Sequence, residues 1–130
     1  MRAQLALQTL GLRATLPLLL WVLPLDRALQ MLTPTQPRAV PLPESLAAIE
    51  AVTDFITRDF RPTRTACLKR ALIRYVLLRR RGFVAHFVIG VRKGGSDGFE
   101  AHAWVTVDEQ PVMERQALDY RGTCVWPRAA

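Results

Sequence analysis

The apolar residues of this chain change their spacing at Gly82, and this change constrains the fold more than any other feature. From residue 44 to residue 81 the apolar side chains recur at steps of three and four, as on one face of a helix. From residue 83 to residue 115 they alternate with period two, which is typical of strands. A single switch from helices to strands joined by short turns predicts an α+β fold, with N-terminal helices followed by an antiparallel β meander.

Two helices are predicted between residue 44 and the switch, and three strands are predicted after it. The first helix, Glu44–Phe60, ends at Arg61-Pro62, because a residue before proline is pushed out of the α region. The second helix covers Thr65–Arg81, and Gln116–Ala130 at the end of the chain carries no clear pattern. The predicted strands are Phe83–Arg92, Phe99–Val107 and Pro111–Arg115.

Residues 1–43 are predicted to form a separate, leucine-rich segment in front of a core that covers residues 44–130. The uncharged run between Arg13 and Asp26 has 12 residues and contains Pro17 and Pro24, whereas a membrane span needs about 20 residues. A signal peptide is less favoured, because no clean small-residue cleavage site follows the apolar run. We therefore expect one or two helices that pack on the core or on a partner, and then a proline-rich connector over residues 33–43.

The formal net charge of +7 is concentrated in one segment. Residues 58–81 carry nine basic residues and one acidic residue, Asp59, so the rest of the chain is about neutral. Such a cluster fits a basic, non-enzymatic binding module for nucleic acid or for an acidic membrane surface. Aromatic residues that could stack on bases are not interleaved with these arginines, so a nucleic-acid partner is not expected.

The cysteines and histidines are few. Cys67 and Cys124 cannot form a disulfide scaffold, so nothing in the sequence requires an oxidising compartment, and we expect a cytoplasmic protein. Together with His86 and His102 they match no zinc module, and no metal site is predicted. The glycine-rich stretch over residues 94–98 lies between strands rather than before a helix, so it predicts a hairpin turn and no phosphate-binding cofactor.

Cys67 is the strongest candidate for chemistry. It follows Thr63 and Thr65, either of which can cap the second helix, so it belongs to the first turn of that helix. There the helix dipole and the backbone N–H groups stabilise a thiolate. The position also lies on the inward face of the helix, which fits a buried structural cysteine equally.

His102 is the candidate general base. It lies in the middle of the second strand, on the face that also carries Trp104, and a mixed polar and aromatic face is expected of a site wall. A hydrogen-bonded structural histidine gives the same pattern. A catalytic imidazole needs an acid that orients it. Glu114 on the third strand has matching parity, and Asp108 at the end of the second strand is the rival acid.

Four stretches between residues 44 and 115 together resemble one family, the transglutaminase-like cysteine peptidases of lasso-peptide biosynthesis. These enzymes remove the leader from a ribosomally made precursor peptide. The pattern of a cysteine followed by His-Ala-Trp is generic to the transglutaminase/papain-like superfamily, whereas the arginine-rich stretch and the Val-Ile-Gly-Val-Arg stretch narrow the resemblance. The four stretches are Cys67-Leu68-x-Arg70-Ala71-Leu72, Leu77-Leu78-Arg79-Arg80-Arg81-Gly82, Phe87-Val88-Ile89-Gly90-Val91-Arg92 and Ala101-His102-Ala103-Trp104-Val105.

The resemblance implies a transglutaminase/papain-like core and a role for three residues. Cys67 matches the family's nucleophile and His102 its base. Glu114 lies twelve positions after the histidine, where the family has its orienting acid, although aspartate is more usual there. Thr106 and Glu109 stand where the family often has glutamate and glycine, and the resemblance gives His86 no role.

The resemblance also implies partners. Residues 1–43 are too short and too leucine-rich to be the winged-helix leader-binding domain that is fused to some members. The chain therefore resembles a stand-alone peptidase that acts on a precursor peptide together with a separate leader-binding protein of winged-helix type. An ATP-dependent macrolactam cyclase would use the product. The resemblance implies no metal, no other cofactor and no nucleic acid.

Overall fold

The computed structural model describes residues 2–33, 43–58, 64–94, 98–113 and 121–127 of the 130-residue chain. Helices occupy the first part and strands the second, which confirms the predicted α+β fold class. The helices are α1 (Arg2–Val22), α2 (Leu25–Leu32), α3 (Pro43–Ile56) and α4 (Arg64–Arg80). The strands are β1 (Ala85–Gly94), β2 (Gly98–Val107), β3 (Gln110–Val112) and β4 (Arg121–Trp126).

The N-terminal segment forms two helices that meet at Pro24. Helix α1 continues through Pro17. Tertiary packing outweighs the missing N–H of the proline, since α1 contributes Leu5, Leu12 and Leu16 to the same hydrophobic core as α4 and the sheet. The division of the chain at residue 43 stays a prediction.

Helix α1 is also longer than the uncharged run counted in the sequence. Its stretch Ala3–Val22 is long and apolar enough to cross a membrane, and most of its residues are not buried. Core helices of soluble proteins and signal sequences share this length and composition, so α1 alone does not assign a membrane span.

Helix α4 is the centre of the fold. It packs against α1, α3, β1 and β2, and every residue from Ala71 to Leu78 is buried. Arg74 lies within this buried stretch and is 8% exposed, although it carries a charge. A helix that is covered on several sides has no free face for a cation, so Arg74 must find its partners inside the protein.

The four strands form one antiparallel sheet with the order β3-β2-β1-β4. Strands β1 and β2 follow the predicted meander, but β3 ends at Val112, where Met113 has a φ of 61°. Strand β4 was not predicted, and it returns to pair with the outer edge of β1. Its six residues include Gly122 and show no clear alternation, which explains why the sequence pattern missed it.

Thr33 joins three elements at the end of α2. Its hydroxyl donates to the carbonyl of Leu29 at 2.6 Å, lies 2.7 Å from the Tyr75 hydroxyl of α4, and accepts from Trp126 Nε1 of β4 at 3.3 Å. A hydroxyl has one donor and two acceptor sites, so Tyr75 must donate its proton to Thr33. The donor site and both acceptor sites of the Thr33 hydroxyl are then used.

We predict that Thr33→Val destabilises the protein by about 1–3 kcal/mol, because it leaves the Tyr75 hydroxyl and the Trp126 N–H without this acceptor. Thr15→Val is the matched control, since the exposed Thr15 hydroxyl bonds to carbonyls of its own helix, at 2.8 Å to Gly11. The control should cost about 0.5 kcal/mol or less. Equal urea midpoints for the two variants would contradict the role of Thr33.

The pH dependence of stability tests the burial of the Tyr75 hydroxyl. Burial raises the pKa of Tyr75 above its ordinary value of 10.0. Because the unfolded chain releases this proton first, the stabilisation is complete below pH 10.0 and is lost as pH rises through the folded-state pKa. We expect the free energy of unfolding of the wild type to fall more steeply above this pH than that of Tyr75→Phe. If the free energies of unfolding of the two proteins, measured by urea titration, fell in parallel with rising pH, this expectation would be refuted.

Candidate active site

Cys67 lies in the first turn of α4, which begins one residue earlier than predicted. Its side chain is half-buried and forms no disulfide. The first four N–H groups of a helix have no partner within the helix, so the start of α4 places backbone donors beside the thiol. This position suits an anion, whether a thiolate or an oxyanion formed during a reaction.

The structure brings Cys67 and His102 to the same cavity. The volume of this cavity is ≈ 480 Å³, and α3, α4, β2 and the end of β3 form its walls. Four consecutive residues of β2, from His102 to Val105, line it. Because consecutive strand residues face opposite sides, the cavity must lie along an edge of β2. Among the described residues, β3 covers that edge only from Val105 onward, and β1 occupies the other edge.

The imidazole of His102 is stacked on the indole of Trp104. The ring centroids are 5.9 Å apart and the ring planes differ by 18°. Residues two apart on a strand share a face, so β2 itself enforces this contact. Trp104 is only 7% exposed, and a buried aromatic ring restricts how the imidazole can turn.

The two candidate acids have different positions. Asp108 forms the β2–β3 turn with Glu109, and both have positive φ, as a two-residue hairpin requires. Asp108 is exposed and does not line the cavity. Six residues of extended strand place it roughly 20 Å from His102, beyond the reach of a side chain. Glu114 lies outside the described residues, directly after Met113.

An ion pair between the buried Arg74 and the partly exposed Asp54 forms one wall of the cavity and was missed by the sequence analysis. Asp54 of α3 pairs with Nη2 of Arg74. Nε of Arg74 donates to Thr53 Oγ1 at 3.0 Å, and Nη1 donates to the carbonyl of Met113 at 3.3 Å. The signal was present in the sequence, because Arg74 interrupts an otherwise apolar run from Ala71 to Leu78. A charge in such a position requires a buried partner.

Two other arginines also line the cavity. Arg70 donates from Nε to Thr57 Oγ1 at 2.9 Å and from Nη2 to the Thr57 carbonyl at 3.1 Å, and so satisfies the C-terminal end of α3. The guanidinium of Arg58 lies 4.5 Å from the centroid of the Phe55 ring. With Arg74 and Asp54, the described lining carries three arginines and one aspartate. The cavity is therefore electropositive when all four side chains are ionised.

His86, the other histidine, is not among the described residues that line this cavity. His86 is half-buried on β1, opposite Thr106. Cys124 belongs to β4 and pairs with Ile89, but its side chain is not among those described. No group of three His, Cys, Asp or Glu side chains that could hold a metal ion occurs within the described part of the chain.

The arrangement can support nucleophilic chemistry. A thiol lies in the first turn of a helix, where backbone N–H groups have no partner within the helix, and an imidazole on a strand lines the same cavity. These are the parts of a cysteine-dependent acyl transfer: a nucleophile, a base and a place for an oxyanion.

Comparison with known proteins gives one family. The model of the transglutaminase-like superfamily matches residues 10–123, which include most of α1, the other three helices and most of the sheet. Comparisons with curated proteins and with solved structures gave no match. The superfamily includes cysteine proteases and transglutaminases, both of which use a cysteine nucleophile. Since the match covers most of the chain, the protein belongs to the transglutaminase-like superfamily.

Proposed function

We propose that this protein is a cysteine peptidase that removes the leader peptide from a ribosomally made lasso-peptide precursor. The observation that carries the proposal is the shared cavity, which Cys67 enters from the start of α4 and His102 from the middle of β2. The superfamily supports cysteine chemistry. The finer assignment rests on the sequence stretches around these two residues, which resemble the lasso-peptide leader peptidases.

The proposed reaction begins when the Cys67 thiolate attacks the carbonyl carbon at the leader–core junction. The resulting oxyanion accepts hydrogen bonds from backbone N–H groups at the start of α4. His102 takes the thiol proton and returns it to the leaving amine, which produces a thioester with the enzyme. Water then hydrolyses the thioester, and Glu114 orients the imidazole throughout. The step needs no metal and no nucleotide.

The proposal includes partners and a location. The substrate is the precursor peptide, a separate leader-binding protein of winged-helix type presents it, and an ATP-dependent macrolactam cyclase takes the product. An apolar groove between α1 and α3 is the candidate docking surface for the leader-binding protein, and Leu10, Val52, Phe55 and Ile56 contribute to it. Large exposed apolar areas usually mark interaction sites. We place the protein in the cytoplasm, because its substrate is made by ribosomes and the cyclase that takes its product uses ATP.

The alternative, a basic non-enzymatic binding module, has less support from the structure. Arg70 and Arg74 bond to groups of the protein itself, and Arg79 donates to the Ala85 carbonyl at 2.8 Å. Guanidinium groups that hold helices and strands together are not available to phosphates. The charges of these three arginines therefore serve the fold and the cavity first.

The nucleophile is tested by incubating the precursor with the leader-binding partner and the enzyme, and by measuring product masses. We expect Cys67→Ala to abolish cleavage, because no other described group in the cavity can form the thioester. His102→Ala should slow cleavage roughly 10²–10⁴-fold. His86→Ala is the matched control and should cleave at nearly the wild-type rate. Full cleavage by Cys67→Ala would overturn the proposal.

The orienting acid is tested by comparing Glu114→Gln with Asp108→Asn. We expect Glu114→Gln to lower kcat roughly 10²–10⁴-fold and to change the acidic limb of the pH–rate profile, since the imidazole loses its orienting carboxylate. Asp108→Asn should have little effect, because Asp108 lies at the exposed hairpin turn. The reverse order of effects would assign the role to Asp108.

A further inference from the structure

The cavity around Cys67 has more positive charge than the proposed chemistry uses. Three of its described lining residues are arginines and one is an aspartate. The reaction needs a thiolate, an imidazole and an oxyanion site, and none of these requires three guanidinium groups. The excess charge calls for a further explanation.

Two of the three arginines have structural partners. Arg74 pairs with Asp54 and bonds to Thr53 and Met113, and it is buried. Arg70 is half-buried and bonds to the side chain and the carbonyl of Thr57. Their positions follow from the packing of α3 on α4, and their charges contribute to the field in the cavity.

Arg58 is different, because it is exposed and lies at the rim of the cavity just after α3. Its guanidinium contacts the ring of Phe55, and the Phe55 side chain is itself 63% exposed. A cation–π contact holds a guanidinium in place without using its N–H groups. Such a group suits a planar, bidentate contact with a carboxylate.

We propose that Arg58, held by Phe55, binds an acidic side chain of the substrate peptide close to the scissile bond. The inference rests on the proposed function, and it names the substrate class: peptides with aspartate or glutamate near the cleavage site. Arg70 and Arg74 strengthen the attraction through their charges and disfavour lysine and arginine at the same position of the substrate.

Phe55 also links this contact to the apolar groove. Its side chain lines the groove between α1 and α3, and its ring contacts Arg58 at the rim of the cavity. A leader-binding protein docked in this groove would therefore present the precursor next to Arg58, at the rim of the cavity that Cys67 lines. An acidic residue on the approach to the scissile bond would lie against the guanidinium.

Binding is tested separately from cleavage. The probes are three fluorescein-labelled, C-terminally amidated 12-residue peptides that differ only in one residue, Asp, Asn or Lys, placed two positions from the intended scissile bond. Binding to Cys67→Ala protein is followed by fluorescence anisotropy. We expect the Asp peptide to bind about 3–10-fold more tightly than the Asn peptide, since charge-assisted hydrogen bonds are stronger than neutral ones. The Lys peptide should bind most weakly.

The double variant Cys67→Ala/Arg58→Gln should remove most of the preference for the Asp peptide over the Asn peptide, and Arg58→Glu in the same background should lower it further. Arg27→Gln is the matched control, because it removes one exposed arginine from α2, outside the cavity lining. This control should keep the wild-type ratio. If Arg27→Gln lowers the ratio as much as Arg58→Gln, the preference reflects net charge and the proposal is overturned.

Cleavage of the same peptides by protein that retains Cys67 separates the two proposals. Cleavage without a preference for the Asp peptide overturns the role of Arg58 and leaves the peptidase intact. If the peptides bind in an Arg58-dependent way but are not cleaved, even with the leader-binding partner present, the peptidase function is overturned. The binding site for acidic residues is then retained. Circular dichroism of each variant establishes that it is folded.

Discussion

The buried guanidinium of Arg74 is the interaction on which the rest of the site depends. It bonds to Thr53 and Asp54 of α3 and to the Met113 carbonyl at the end of β3, while its own backbone belongs to α4. A buried cation is tolerated only when its donors are satisfied. The α3 end, the α4 start and the β3 end form the cavity walls, so this one side chain fixes how far apart those walls stand.

The positions of the arginines in the fold also change the interpretation of the positive charge. From the sequence, nine basic residues in 24 positions suggest a surface for polyanions. In the fold, Arg70 donates to the Thr57 carbonyl directly after α3, and Arg74 bridges three elements. Arg79 donates to β1, and its guanidinium lies 5.8 Å from the Tyr75 ring. Arginine suits these roles because its five donors are fixed in a plane. Net charge alone cannot separate internal arginines from external ones.

The sequence predicts those features that depend on periodicity, and it misses those that depend on tertiary partners. The helices α3 and α4 and the strands β1 and β2 lie within a few residues of their predicted bounds, because their apolar spacing is regular. Strand β4 was missed because its own residues show no clear alternation, and its pairing with β1 stabilises it. For the site, Cys67 and His102 could be named from the sequence. Arg74 interrupts an apolar run and so gave a signal, but its partner Asp54 could not be named, since the two meet only when α3 packs on α4.

The meeting of Cys67 and His102 follows from ordinary core packing. Ala71, four residues after Cys67, begins the buried stretch of α4, and Ala103, one residue after His102, belongs to the same core cluster. Cys67 therefore lies four residues from a core residue of its helix, and His102 lies next to a core residue of its strand. The helix start then supplies backbone donors to the thiol, and the strand supplies Trp104 to the imidazole. A change in the α4–β2 core would consequently alter the site while every site residue stayed in place.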